Sequence, residues 1–298
     1  MQHSQHKGRL MLKQRVITAI VLLAILLPAL FYKTPVPFCA VALLLIAAGA
    51  WEWGRLNAFG QAGSLSLAVV CVLMCGLSWY GGLLEKPLPM LWAAAGAVWV
   101  LAGGWLLRNG VSGWPRIPKT LRLVGGLLAL WLAWLAVAQA RVIGVNFLLS
   151  VLLLVWVADI FAYFAGRTFG GRFSKGKLAP SISPGKSWEG VWGGMAGVLA
   201  LSLAWLSLGA AGDGTGAGFW QGQTLYTRLV EQHGLVMMLL AVVFLTAMSV
   251  VGDLVESLIK RSVGVKDSSG LLPGHGGVLD RVDALLPTLP LAMMLASL

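Results

Sequence analysis

The chain has 298 residues, of which 58% are hydrophobic and only 11% are charged. About a quarter of the residues of a soluble domain are charged, so this composition excludes an ordinary soluble protein and indicates a polytopic membrane protein. The net charge of +11 does not indicate a nucleic-acid-binding surface, because the Lys and Arg residues fall between apolar runs, where they fit membrane topology better. We expect no nucleic-acid partner.

The N-terminal segment is basic and leads directly into an apolar run. Lys7, Arg9, Lys13 and Arg15 precede residues 16–32, an arrangement that imitates a secretory signal. No convincing small-residue cleavage site closes this run, and further apolar runs follow it. We therefore interpret it as the first membrane span.

Apolar runs long enough to cross a bilayer recur along the whole chain. A helical span needs about 17–25 mainly apolar residues, and splitting the sequence at charges, prolines and glycine clusters leaves nine candidates. They are residues 15–32, 36–54, 65–82, 89–107, 121–139, 143–165, 190–209, 235–258 and 278–297. We predict an all-α fold with about nine transmembrane helices, and a short helix near residues 224–231 in the glycine-rich loop 210–234.

The basic residues predict the orientation of these spans. With a cytoplasmic N-terminus, the inner segments are residues 55–64, 108–120, 166–189 and 259–277. All but four of the 22 Lys and Arg residues then lie on the inner side, the exceptions being Lys33, Lys86, Arg141 and Arg228. This asymmetry is what the positive-inside rule predicts. We divide the chain into N-terminal helices (1–140, about five spans) and a C-terminal region (141–298) that carries two charged inner loops (166–189 and 259–277).

The first charged stretch begins inside the sixth span. Asp159 is a carboxylate within an apolar run, where an ionisable group indicates either a functional site or a buried packing contact. Basic residues alternating with glycines follow it, a composition that suits a polyanion such as a triphosphate; they are Arg167, Arg172, Lys175, Lys177 and Lys186. Residues 185–187 resemble the end of a Walker A loop, but Pro180 replaces the required glycine and no strand precedes it, so we reject a P-loop.

Ser183 and Pro184 predict where the seventh helix begins. Serine is a favoured N-cap residue and proline is favoured at the first helical position. The free N–H groups of such a helix would face the cytoplasm and suit a phosphate.

The densest group of ionisable residues occupies residues 252–283. Asp253 and Glu256 are three residues apart, so their carboxylates share one face of a helix, and Asp280 and Asp283 repeat this spacing. A basic, glycine-rich loop joins the two pairs. Carboxylates arranged in this way could hold Mg²⁺ against a phosphate, and the alternative is a basic juxtamembrane loop whose acids only balance its charge.

Both charged stretches resemble the phosphatidate cytidylyltransferase (CDP-diacylglycerol synthase) family. The resemblance to its signature lies in Ser257-Leu258-Ile259-Lys260-Arg261, Lys266-Asp267, Pro273-Gly274-His275-Gly276-Gly277 and Leu279-Asp280-Arg281-Val282-Asp283. The resemblance to its nucleotide-binding region lies in Asp159, Ala162-Tyr163, Gly166-Arg167, Lys177, Pro180, Ile182-Ser183-Pro184, Lys186-Ser187 and Glu189-Gly190. Residues 1–140 match only in hydropathy, and we assign no site to them.

The resemblance implies that the chain converts CTP and phosphatidate into CDP-diacylglycerol and diphosphate, as part of phospholipid biosynthesis. It implies an active site on the cytoplasmic face of a bacterial plasma (inner) membrane. Mg²⁺ is the implied cofactor, while a monovalent cation and a homodimer are left open.

We also assign roles to individual residues as hypotheses. The expected metal ligands are Asp253 and Asp280, with Glu256 and Asp283 beside them. Asp253, Asp280 and Asp283 are expected to act in catalysis together with the residues that hold phosphate oxygens or position the loop, namely Lys260, Arg261, Lys266 and His275. The residues expected to bind CTP are Asp159, Lys177, Ser183, Lys186, Ser187 and Glu189.

Two other functions fit part of the pattern. A CTP-dependent polyprenol kinase would use a similar site but would transfer the γ-phosphate. An ion or anion transporter would also place carboxylates and arginines in membrane helices, but it would distribute them through many spans. Seven of the eleven acidic residues lie in the two charged stretches, which favours chemistry at the membrane surface.

Overall fold

The computed structural model describes residues 2–210 and 222–298, with side chains from residue 14 onward. The side chains of Lys7, Arg9 and Lys13, and residues 211–221 of the glycine-rich loop, lie outside the described part. The helices are α1 (Gln2–Phe31), α2 (Val36–Leu56), α3 (Gln61–Tyr80), α4 (Pro89–Asn109), α5 (Lys119–Ile143), α6 (Val145–Phe169), α7 (Trp188–Ala210), α8 (Leu225–Ser262), α9 (Leu279–Val282) and α10 (Leu285–Leu295). A 3-10 turn (Val111–Arg116) and the strands β1 (Lys177–Ala179) and β2 (Ser183–Ser187) complete the described structure.

Eight of the described helices, α1 to α8, are long and apolar enough to span a membrane. A helix of about 20 residues measures roughly 30 Å, the thickness of the hydrocarbon core. The predicted class, an all-α polytopic membrane protein, is confirmed. The number of crossings and the cytoplasmic N-terminus remain predictions.

The ninth predicted span, residues 278–297, is divided between the short helices α9 and α10. Pro287 has no N–H to donate to the carbonyl of Asp283, so the helical hydrogen-bond pattern is interrupted there. Helix α10 contacts α4, α5, α6 and α8, and residues 287–293 are buried. Apolar character on all sides of this segment therefore reflects burial within the bundle.

Small residues set the closest helix contacts. A Cβ at Gly194 would lie 2.9 Å from the carbonyl oxygen of Ala158, and one at Gly190 would lie 3.0 Å from that of Ala162, so α7 packs directly against the backbone of α6. A Cβ at Gly252 would lie 2.5 Å from the carbonyl oxygen of Asp283. These contacts bring the charged ends of α6, α7, α8 and α9 together.

The predicted helix start at Ser183 is wrong. Ser183 and Pro184 lie in β2, which pairs with β1 in an antiparallel hairpin, and α7 begins at Trp188. The N–H of Gly190 donates to Oγ of Ser187 at 3.2 Å, so Ser187 is the residue that caps the helix. Pro184 is tolerated in β2 because a two-stranded ribbon has edge positions that need no N–H donor.

The helix predicted near residues 224–231 forms the first part of α8. Thr224 caps it in a reciprocal arrangement with Thr227, and the chain kinks at Gly234, where φ is 82°. The membrane part of α8 follows this kink and ends in the second charged loop.

Candidate active site

A cavity of about 430 Å³ lies where α6, β2, α7 and α8 meet. One part of its wall is polar and contains Asp159, Arg167, Lys186, Ser187 and Asp253. Another part is apolar or small and contains Ala158, Val191, Gly194 and Val250. The first charged stretch and Asp253 of the second therefore face the same space, which combines a charged region with an apolar one.

An ion pair joins the two charged stretches at this cavity. Nζ of Lys186, on β2, lies 2.6 Å from Oδ2 of Asp253, on α8. The two side chains are 26% and 32% exposed, so both remain accessible from the cavity. A charge-assisted bond of this length fixes the hairpin against α8.

Three aspartates are close enough to influence one another electrostatically, and we call them the aspartate cluster (Asp159, Asp253 and Asp283). Asp159 and Asp253 line the cavity. Asp159 interacts electrostatically with Asp253 and Lys186. Asp283 interacts with both other aspartates, and its own side chain accepts from the N–H of Ala284 at 2.8 Å. Like charges at short range repel each other, so a bound cation would stabilise this cluster.

Lys260 lies between two further carboxylates. Its Nζ is 2.5 Å from Oε2 of Glu256 and 2.6 Å from Oδ1 of Asp280. Asp280 also accepts from the N–H groups of Ser268 and Gly277, and its Oδ2 lies 3.1 Å from Oγ of Ser268. Both carboxylate oxygens of Asp280 are thus engaged, and this residue anchors the loop between α8 and α9.

A buried acid that the sequence analysis did not single out holds the same loop. Glu52 of α2 has no exposed surface and accepts from Oγ of Ser268 and Ser269 and from the N–H groups of Val278 and Leu279. Its position inside an apolar span was the signal that identified Asp159, and the same reasoning applied to Glu52 would have found it.

The glycine-rich part of the loop is a tight turn. Leu272 and Gly276 form an isolated antiparallel bridge, with φ of 76° at Gly274 and 83° at Gly276, values that favour glycine. A Cβ at Gly276 would lie 2.7 Å from Oδ2 of Asp280, so glycine also permits the turn to approach this carboxylate. The carbonyl oxygen of His275 accepts from Arg281, and Nδ1 of its imidazole is buried without a hydrogen-bond partner in the described structure.

Helix α1 contacts this turn from the other side. Nε of Arg15 donates to the carbonyl oxygen of Gly274 at 2.8 Å, and Oγ1 of Thr18 donates to that of Pro273 at 2.9 Å. The N-terminal helices therefore reach the second charged loop through α1 as well as through α2.

Several predicted site residues lie away from the cavity wall. Oε1 of Glu189 accepts from the N–H groups of Phe173 and Ser174, so this buried acid holds the loop after α6. Ser183 is half-buried in β2, and Lys177, Arg261 and Lys266 are exposed at the surface. None of these five residues lines the cavity.

The residues present fit a hard divalent cation in their chemistry, since every candidate donor is an oxygen. In the described structure no three His, Cys, Asp or Glu side chains are grouped so as to hold a metal by themselves. Mg²⁺ commonly takes one or two protein carboxylates and completes its coordination with phosphate and water. Asp253 reaches the cavity, whereas Asp280 would have to release donors to bind a metal.

A family model and the curated relatives of this sequence all point to the same protein family. The cytidylyltransferase family model matches residues 13–298. A phosphatidate cytidylyltransferase of Pseudomonas aeruginosa is 39% identical over 287 residues, which cover 94% of this chain and 95% of the relative. One of Haemophilus influenzae is 36% identical over 300 residues, covering 94% and 96%. One of Bacillus subtilis is 38% identical over 157 residues, covering 52% and 49%.

Proposed function

Since the chain belongs to the cytidylyltransferase family, we propose that it is a phosphatidate cytidylyltransferase. This integral membrane nucleotidyltransferase converts CTP and phosphatidate into CDP-diacylglycerol and diphosphate in phospholipid biosynthesis. We place the reaction on the cytoplasmic face of a bacterial inner membrane, where nucleotides are available.

The observation that carries this proposal is the ion pair of Lys186 and Asp253 beside the cavity. It unites the stretch predicted to bind the nucleotide with the stretch predicted to carry the carboxylates. The adjoining wall formed by Ala158, Val191 and Val250 suits the first methylene groups of a lipid. A nucleotide and a lipid headgroup would meet in such a cavity.

The reaction needs little proton chemistry. A phosphate monoester is largely ionised near neutral pH, and its oxygen attacks the α-phosphorus of CTP. The new O–P bond forms as the bond from the α-phosphorus to the bridging oxygen breaks, and diphosphate leaves with that bonding pair. No Ser–His–Asp arrangement is required.

Bringing two polyanions together is the main electrostatic difficulty. At about 4 Å and an effective dielectric constant near 20, each pair of like charges costs about 4 kcal/mol. Arg167 and Lys186 line the cavity, where they would offset the charge of the triphosphate, and Oγ of Ser187 would donate to one of its oxygens. The fixed donors would also stabilise charge that develops on the leaving diphosphate.

Asp253 would hold Mg²⁺, with Asp159 and Asp283 as its neighbours. When bound, Mg²⁺ would neutralise phosphate charge and favour departure of diphosphate. Asp280 and Glu256 would act indirectly, because both pair with Lys260 and hold its ammonium group near the aspartate cluster. Participation of a monovalent cation and assembly as a homodimer remain predictions.

The remaining predicted residues keep supporting roles in this proposal. Arg261 and Lys266 present positive charge to anionic substrates at the membrane surface, as does Lys177 on the hairpin. His275 positions the turn, while Ser183 and Glu189 stabilise the hairpin and the loop that precedes it.

A labelling experiment tests the function. Purified protein is incubated with phosphatidate, Mg²⁺ and CTP labelled at either the α- or the γ-phosphorus. We expect the α-label in the lipid and the γ-label in free diphosphate. The γ-label in the lipid would identify a kinase instead, and failure to consume CTP would overturn the proposal.

A further inference from the structure

Glu52 is a charged residue inside an apolar helix, and its carboxylate is completely buried. It accepts four hydrogen bonds, all from the segment between α8 and α10. Oε1 accepts from Oγ of Ser269 at 2.5 Å and from the N–H of Val278 at 2.9 Å. Oε2 accepts from Oγ of Ser268 at 3.0 Å and from the N–H of Leu279 at 2.8 Å. The buried charge is therefore fully used in holding this segment.

The segment cannot approach α2 so closely without a small residue beside the carboxylate. A Cβ at Gly277 would lie 2.5 Å from Oε1 of Glu52. The side chain of Leu279 packs against α2 near Gly49. Close packing and hydrogen bonds thus both hold residues 277–279 against α2.

The carboxylate of Glu52 is connected to the reaction site through Ser268. Oγ of Ser268 lies within hydrogen-bonding distance of both Glu52 Oε2 and Asp280 Oδ2, and its N–H donates to Asp280. Asp280 in turn holds Nζ of Lys260. A continuous chain of hydrogen bonds and ion pairs therefore runs from Glu52 on α2, through Ser268 and Asp280, to Lys260.

We propose that Glu52 is a positioning residue for the reaction. It fixes residues 268–279, and through Ser268 it sets the positions of Asp280 and Lys260. The N-terminal helices then contribute more than a membrane anchor, because one of them supplies the support on which the reactive loop is assembled. This inference rests on the proposed function.

The position requires a carboxylate rather than an amide. Each oxygen of Glu52 accepts a backbone N–H as well as a hydroxyl, and a backbone N–H cannot reverse its role. In a Glu52→Gln variant the amide nitrogen would face either the N–H of Val278 or that of Leu279. The loop would have to move away from α2 to relieve this conflict.

Steady-state kinetics of the Glu52→Gln variant test the proposal. Displacement of reactive groups by about 1 Å can reduce a rate on the order of 100-fold, so we expect kcat to fall by roughly 10- to 100-fold. We expect the KM for CTP to change by less than about twofold, because no bond of Glu52 reaches Arg167, Lys186 or Ser187. Glu85→Gln is the matched control, since Glu85 is exposed in the loop between α3 and α4.

Limited proteolysis provides a measurement that does not depend on activity. Lys266 is exposed in the supported loop, and we expect trypsin to cleave after it several times faster in detergent-solubilised Glu52→Gln than in the parent protein. Thermal unfolding of the same samples separates release of the loop from loss of the whole bundle. A purely structural role would lower the unfolding temperature while leaving kcat per folded molecule unchanged.

Unchanged kcat per folded molecule would overturn the inference, whatever the rate of cleavage after Lys266. If Glu52→Gln does not accumulate, the combined Ser268→Ala and Ser269→Ala variant decides, because it keeps the Glu52 carboxylate and its two backbone bonds while removing both hydroxyl contacts to Glu52 and the hydroxyl contact between Ser268 and Asp280. Full kcat in that variant would also overturn it. Should the parent protein show no cytidylyl transfer, the proposed function fails, and the proteolysis still decides whether Glu52 holds the loop.

Discussion

At the scale of single residues, the ion pair of Lys186 and Asp253 connects two parts of the chain that are more than sixty residues apart in sequence. Each side chain is only about a quarter to a third exposed. A triphosphate would compete with Asp253 for Lys186, and a divalent cation would compete with Lys186 for Asp253. In the proposed reaction, substrate binding would therefore exchange one set of opposite charges for another.

This exchange predicts the behaviour of variants of the pair. We expect Lys186→Gln and Asp253→Asn each to lower kcat/KM for CTP by about 100-fold or more, since each removes a group that we propose contacts substrate or cation. The double variant should lose less than the product of the two effects, by a coupling of about 1 kcal/mol for a partly exposed pair. Measuring kcat/KM for the parent protein, the two single variants and the double variant gives this coupling energy.

Lys33→Gln is the control for the loss of a positive charge, because Lys33 is exposed in the loop between α1 and α2. It should retain the parent kcat/KM. Strictly multiplicative effects in the double variant would contradict a direct interaction between Lys186 and Asp253.

At the scale of helices, glycine decides how closely α8 approaches the segment between α9 and α10. Gly252 precedes Asp253, and the backbone of Asp283 and the ring of Pro287 occupy the space that a side chain would need. The same close contact at Gly252 therefore also sets the distance between Asp253 and Asp283. Any residue larger than glycine would move Asp253 and Asp283 apart.

We predict that Gly252→Ala destabilises the protein and lowers its activity. Overpacking in a close contact costs about 1–3 kcal/mol, and separation of the aspartates should reduce cytidylyl transfer about tenfold or more. Thermal unfolding in detergent and kcat per folded molecule measure the two effects. Gly104→Ala is the matched control, because Gly104 lies in α4 with open space around it. An active Gly252→Ala variant of normal stability would contradict the close packing.

The same helices show what sequence patterns can and cannot predict. Apolar length located α1 to α8, because burial in lipid requires it. Carboxylate spacing predicted Asp253 and Asp280 as metal ligands, but it could not show that Asp280 holds Lys260 and the loop. The hairpin was missed since Ser183 and Pro184 carry a helix-start signal that pairing with β1 overrides. The position of Glu52 inside an apolar span was a usable signal, but its partners are more than two hundred residues away, and only the fold shows which loop it holds.

At the scale of the whole molecule, the two charged loops must lie on the same side of the membrane. The hairpin of the first loop and the end of α8 that leads into the second loop share the cavity and the ion pair of Lys186 and Asp253, so we predict that helices α7 and α8 leave that side and return. Residues 222–224, between those helices, then belong to the opposite side.

This topology predicts the labelling of two single-cysteine variants with an impermeant thiol reagent. Lys175→Cys should react only from the cytoplasmic side, and Gln223→Cys only from the outer side. Cys39, Cys71 and Cys75 have no exposed surface, so the parent protein serves as the unlabelled background. Labelling of both variants from one side of intact cells would contradict the arrangement.

The burial of α10 has a consequence for how the protein is made. Residues 285–295 leave the ribosome after all eight long helices have been synthesised, yet they lie among α4, α5, α6 and α8. The final packing of those four helices around α10 can therefore form only after residues 285–295 have been synthesised. A nascent chain that ends before Leu285 would leave its centre unfilled, and membrane quality-control proteases should degrade it even though its long helices have already inserted.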